Sequence, residues 1–226
     1  MPTVLLVRHG QASFGGADYD VLSPLGARQS DVVAAELVAR GLTVGRLITG
    51  SLRRQCDTAA PLAAALGLTA GVDPRFDEYS MEAILADHSS TRARPSRPPG
   101  SDQPEISSAA FQDLLEQALS AWIAAGDAGP PETWPAFVRR VRDGLRDAAA
   151  GLTSGSTAVV FTSGGVIAAT ATMLWELPEQ ALITLNRVAV NTAITKIVTG
   201  RSGVTLVSFN EHGHLEHGAE PLVSYR

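Results

Sequence analysis

Residues 4–14 read VLLVRHGQASF, an apolar run from Val4 to Val7 that stops at Arg8, His9 and Gly10. Short runs of this kind, β-branched or apolar and closed by glycine, read as buried strands. Two readings of the corner are open: a strand end capped by a surface arginine, or a reactive histidine held beside an anion. The choice depends on what the rest of the chain brings to it.

Working outward, TVLLV (3–7), RLIT (46–49), STAVVFT (156–162), AITKIVT (193–199) and GVTLVSF (203–209) read as strands bounded by Gly, Ser or Thr. SPLGARQSDVVAAELVARG (23–41) has helical spacing, with Ser23 as N-cap, Pro24 at the first helical position and Gly41 as the stop. Its apolar side is expected to carry Val32, Val33, Leu37 and Val38. A second helix is expected from near Leu52 to Gly67, and a third from Gly164-Gly165 through Trp175. Strands alternating with helices imply an α/β fold. The region from Asp87 to Ser108 is rich in Ser, Pro and Arg and has little to fill a core, so it reads as a loop. Two amphipathic stretches follow at 111–127 and 132–151. The expected organisation is a single domain, 1–226, with a flexible and helical insertion at about 83–150.

Composition limits the function classes. At 226 residues and 45% hydrophobic, the chain is long and apolar enough for a full core. A formal net charge of -5 argues against a nucleic-acid groove or an anionic membrane as the main partner, so any anion site must be local. One cysteine, Cys56, excludes an internal disulfide and suits a reducing compartment. With neither a signal-peptide pattern nor an apolar run of spanning length, the expected setting is the cytoplasm.

The Arg8-His9 corner lies at the carboxyl end of a strand, where α/β sheets place their ligand crevices. Three further elements converge on such ends. SLRRQCDTA (51–59) puts Arg53 and Arg54 at a helix N-terminus, RFDEYSMEA (75–83) supplies carboxylates, and TSGG (162–165) turns a strand into a helix through small residues.

This ordered set resembles the histidine phosphatase superfamily, the phosphoglycerate-mutase-like fold. It comprises LVRHG, then Leu52-x-Arg54 continuing to Thr58-Ala59, a glutamate, a strand ending in GGVI, and FNEHGHL (209–215). The resemblance implies a three-layer α/β/α sandwich with a mostly parallel central sheet. It also implies hydrolysis of a small phosphomonoester through a phosphohistidine, without metal or organic cofactor. His9 is then the nucleophile, Arg8 and Arg54 clamp the phosphoryl oxygens, and Glu78 is the general acid, with Asp77 its rival and Glu82 a pocket-wall candidate. Guanidinium forks suit phosphoryl oxygens, and covalent capture splits one hard displacement into two.

Two departures stand out. Family members usually carry a second histidine where this chain has Ser163, and a hydroxyl donates a hydrogen bond but carries no charge. Ala12 and Gly15 stand where the family commonly has Thr and Asn, so Gln11, Ser13 and the amides near Gly15 and Gly16 become the candidate replacements, with Gly164 a further substrate-binding candidate. On these grounds a noncatalytic or very weakly active phosphoester-binding protein, or a mutase, stays open beside the phosphatase. Ser163→His is expected to raise turnover if the position faces phosphate. Arg92, Arg94 and Arg97 could meet an anionic substrate, although a solvated loop is the plainer reading. His88 lies beside the insertion, and His212, His214 and His217 match no familiar metal-ligand spacing, so no metal is expected. Cys56 lacks the arginine six positions later that a cysteine phosphatase needs, since Leu62 stands there.

Overall fold

The computed structural model describes residues 1–13, 20–91, 108–200, 203–217, 220 and 222–225. Its strands are β1 (Thr3–Arg8), β2 (Thr43–Thr49), β3 (Gly71–Val72), β4 (Ser156–Thr162), β5 (Ile194–Gly200) and β6 (Gly203–Glu211). Its helices are α1 (Pro24–Ala39), α2 (Arg53–Leu66), α3 (Met81–Thr91), α4 (Ser108–Ala124), α5 (Trp134–Ala149), α6 (Gly164–Leu174) and α7 (Ala181–Val188). These elements form an α/β fold on a six-stranded sheet of order β3-β2-β4-β1-β5-β6. β1, β2, β3 and β4 run parallel, while β5 is antiparallel to both β1 and β6.

The helix ends follow from local chemistry. Ser23 caps α1 by accepting the Gly26 N–H, with Pro24 just inside. α2 stops at Gly67, whose φ of 63° is the left-handed conformation that glycine adopts without penalty. Val38 departs from expectation: it is 44% exposed, while Val33, Ala34 and Leu37 form the buried stripe. The stripe runs through Gly26, Gln29, Ser30, Val33, Ala34 and Leu37, and a step of about 100° past Leu37 carries Val38 off its edge.

The chain divides into two compact units, residues 1–78 with 140–226, and residues 79–139. In the first unit, Leu5 and Val7 of β1 and Val159 and Phe161 of β4 pack with Val33, Leu37, Ala59 and Leu62 of α1 and α2. The intervening Val4, Leu6, Ala158 and Val160 are equally buried and, by strand alternation, point to the opposite face of the sheet. Both faces of these central strands are covered, which is why they read as continuous apolar runs.

The second unit is held by an aromatic cluster. Trp122 lies 5.6 Å from Tyr79, 5.4 Å from Trp134 and 5.5 Å from Phe137 between ring centroids. Its indole N–H donates to the Glu132 carbonyl at 2.9 Å, so its one polar atom is satisfied. Arg92, Arg94 and Arg97 lie outside the described residues. No helix among the described residues is long and apolar enough to cross a membrane.

Candidate active site

β1 ends at Arg8, and His9 continues its line: the His9 N–H bonds the Thr162 carbonyl at 2.8 Å, one step beyond the Arg8–Thr162 pair of the β1–β4 ladder. His9 is 5% exposed. Its Nδ1 lies 2.7 Å from the Gly10 carbonyl, which can only accept, so Nδ1 carries the hydrogen of the neutral ring. Nε2 is left with its lone pair, and Arg54 Nε donates to it at 3.2 Å. Burial foremost, then the Arg8 and Arg54 guanidinium groups, hold the imidazole well below its ordinary value of 6.5. The ring is therefore neutral, with the Nε2 lone pair facing a cation.

Glycines fix the corner. A Cβ on Gly10 would come within 2.5 Å of the Gly26 carbonyl oxygen, and one on Gly26 within 2.1 Å of the Gln11 carbonyl oxygen. Only two glycines let the turn after β1 lie against the first turn of α1. Thr58 completes the clamp, accepting the Gly10 N–H at 2.9 Å while donating to the Arg54 carbonyl at 2.6 Å.

Arg54 is anchored on its far side by Asp20, whose Oδ1 lies 2.7 Å from its Nη1. The same carboxylate takes the Arg53 N–H at 2.8 Å, so it caps the start of α2 from outside the helix. Arg53 points elsewhere, 3.5 Å from Asp57 and 61% exposed. Arg8 Nη1 donates to the carbonyls of Ala189 and Tyr225. Gly164 lets Arg8 pass: a Cβ there would sit 3.3 Å from Arg8 Nε and 2.5 Å from Asn186 Oδ1.

The carboxylate candidates separate clearly. Asp77 bonds both the amide and the hydroxyl of Ser51, a structural tie. Glu78 accepts the Gly165 N–H at 3.1 Å, at the N-terminus of α6 beside Ser163 and Gly164. Arg140 fixes this loop by donating to the Arg75 and Asp77 carbonyls, both at 2.8 Å. Glu82 lies on α3 in the second unit.

Among the remaining candidates, Gln11 Oε1 accepts the Ser23 hydroxyl at 2.8 Å, which ties it to the N-cap of α1. Ser13 is held through its amide, which bonds the Val21 carbonyl. Gly15 and Gly16 lie outside the described residues. His212 lies 2.6 Å from the Asn210 carbonyl and 3.6 Å from Glu216, while burial pushes the His214 imidazole down. Cys56 Sγ rests against the Gly50 carbonyl and the Thr49 hydroxyl.

Sequence reading missed Asp20, Gln55 and Asn191. Gln55 bonds Ser163, and Asn191 donates to the His9 carbonyl at 3.0 Å. These residues meet the corner only through the fold, so no local spacing announces them.

Known proteins share this fold. The chain resembles solved structures of the mycobacterial glucosyl-3-phosphoglycerate phosphatase, at 22% identity and a TM-score of 0.64 over 92% of this chain and 98% of that one. It also resembles a mutant phosphoserine phosphatase of Entamoeba histolytica in complex with phosphoserine, at 18% identity and 0.67 over 95% and 100%. A curated relative, the probable phosphoglycerate mutase GpmB of Yersinia enterocolitica, is 34% identical over 90 residues, 37% of this chain and 41% of that protein. The chain thus spans about two fifths of the curated relatives it matches. The sequence model of the histidine phosphatase superfamily (branch 1) matches residues 4–212, and the chain belongs to that family.

Proposed function

We propose that this protein is a phosphatase that hydrolyses a small phosphomonoester through a phosphohistidine at His9. The observation that carries the reading is the state of the ring: hydrogen on Nδ1, lone pair on Nε2, and a guanidinium already bonded to the attacking nitrogen. In the first step His9 Nε2 attacks phosphorus, the bond from phosphorus to the leaving oxygen breaks, and protonated Glu78 gives that oxygen its proton. In the second, Glu78 takes a proton from water as its oxygen attacks phosphorus. The P–N bond breaks, its electron pair returns to His9, and inorganic phosphate leaves. Arg54 and Arg8 balance the charge on the transferring group.

The names of the structural neighbours, phosphatases of glucosyl-3-phosphoglycerate and of phosphoserine, support a small phosphorylated acid as the substrate class. A single cysteine fits a cytoplasmic setting.

The test is release of inorganic phosphate from an aryl phosphate and from a panel of phosphorylated acids, with chelator present, by the parent and by His9→Ala. Turnover in the parent and none in the variant is the expected outcome. A variant as active as the parent would remove His9 from the mechanism. Silence in both, with inorganic phosphate still bound, would favour a binding protein that does not turn its ligand over.

A further inference from the structure

Ser163 stands at a helix cap but makes no cap bond. It precedes α6 with extended backbone, yet its hydroxyl makes no bond to the helix, whereas a serine there ordinarily accepts an amide of the first turn. Glu78 serves that turn instead, through the Gly165 N–H.

The Ser163 hydroxyl is completely buried and receives a hydrogen bond from Gln55 Nε2 at 2.8 Å. Gln55 is also completely buried and fixed at both ends. The same nitrogen donates to the Phe76 carbonyl at 3.0 Å, and Oε1 accepts the Leu52 N–H at 3.3 Å. A carboxamide nitrogen can only donate, so Ser163 Oγ is the acceptor of this pair and keeps its own hydrogen for another partner. Among the described residues that hydrogen is given to no protein acceptor. Strand register shows where it can reach. Arg8 pairs with Thr162 at the parallel ends of β1 and β4, and the His9 N–H bonds the Thr162 carbonyl at 2.8 Å, so Ser163 and His9 each follow directly on neighbouring strand ends.

We propose that Gln55 is a positioning residue whose carboxamide holds the Ser163 hydroxyl as a hydrogen-bond donor toward the phosphoryl group carried by His9. This rests on the phosphatase reading above and adds to it a second buried residue that acts through the first. It also changes what Ser163→His should do. An imidazole built along the present Cβ–Oγ direction runs into the carboxamide 2.8 Å beyond, so residues 55 and 163 must change together.

The experiment compares kcat and KM for an aryl phosphate, and affinity for orthovanadate, which mimics the five-coordinate phosphorus. The chains compared are the parent, Ser163→Ala, Gln55→Met, the double variant and His9→Ala. Methionine keeps the volume of glutamine and removes its amide. Ser163→Ala and Gln55→Met are each expected to lower kcat about tenfold or more with KM within about twofold, and to weaken vanadate to match. The double variant should be no worse than either single one, because both remove the same donor. Gln55→Met with the parent's kcat and vanadate affinity overturns the proposal, as do single losses that multiply in the double variant. A parent without vanadate affinity also overturns it.

Should Gln55→Met fail to fold, Ser163→His and Ser163→His/Gln55→Ala decide. The pair should exceed the single histidine variant about tenfold or more, and equality overturns the proposal. His9→Ala with full activity would instead sink the phosphohistidine reading, a separate outcome.

Discussion

Burial and two guanidinium groups keep the proton off His9, and this has a consequence for stability. The unfolded chain takes up that proton near pH 6.5, whereas the folded chain does so only well below. Between those points the unfolded state binds more protons, so stability falls as the pH drops through the window. His9→Gln removes this term, and the loss of urea midpoint from about pH 7.5 to about pH 5 should be smaller than in the parent. Equal losses would mean that His9 is not held neutral. His214, shifted the same way, contributes equally to both chains. At this scale the sequence was informative where a residue sits in a local motif. His9, Arg54, Glu78 and Ser163 could each be named because each sits in a recognisable local pattern. Gln55 could not, because a glutamine in the first turn of a helix is ordinary until Ser163, on another strand end, lies 2.8 Å away. Gln11 looked available to substrate, but its oxygen serves the cap of α1.

α2 begins under a carboxylate that the chain itself supplies. Asp20 covers the Arg53 amide and one arm of Arg54, groups that would also attract a phosphate. Asp20→Ala is expected to tighten inorganic phosphate several-fold in calorimetric titration while lowering helix stability by about 1 kcal/mol, the usual cost of a lost cap. Weaker phosphate binding would show instead that Asp20 is needed to aim Arg54. The elements that sequence reading found are those with a period or a punctuating glycine, such as β1, α1 and α2. It missed β3, whose two residues are too short for any alternation, and α7, whose eight residues make only about two turns and carry no side-chain cap. α3 was obscured by the Ser- and Arg-rich stretch that follows it.

Across the molecule, a buried polar chain joins β1 to α1 and to residues 222–225. Asn191 donates to the His9 carbonyl, the Ser224 hydroxyl donates to Asn191, and Gln29 donates to Ser224 and to the Leu222 carbonyl. The Tyr225 carbonyl in turn holds Arg8. Asn191→Ala leaves the His9 carbonyl and its neighbours without their partner, at a cost of about 1–3 kcal/mol. It should also speed hydrogen exchange of the Asn191 amide, which bonds the Ser224 carbonyl. Unchanged exchange would mean that the segment is held by packing alone.

The position of β1 in the sheet has a further consequence, for how the protein comes into being. Thr3 pairs with Thr157 on one side and Val198 on the other, so every rung beside β1 closes a very long loop. Such closures lose chain entropy long before they are rewarded, and they form late and slowly. Until then TVLLV is an uncharged, sticky segment that only dilution or a chaperone keeps from other chains. The Arg8-His9 corner depends on the same late pairings, so a half-folded chain lacks the proposed phosphate site, and recovery of any phosphatase activity during refolding should lag the return of helical signal.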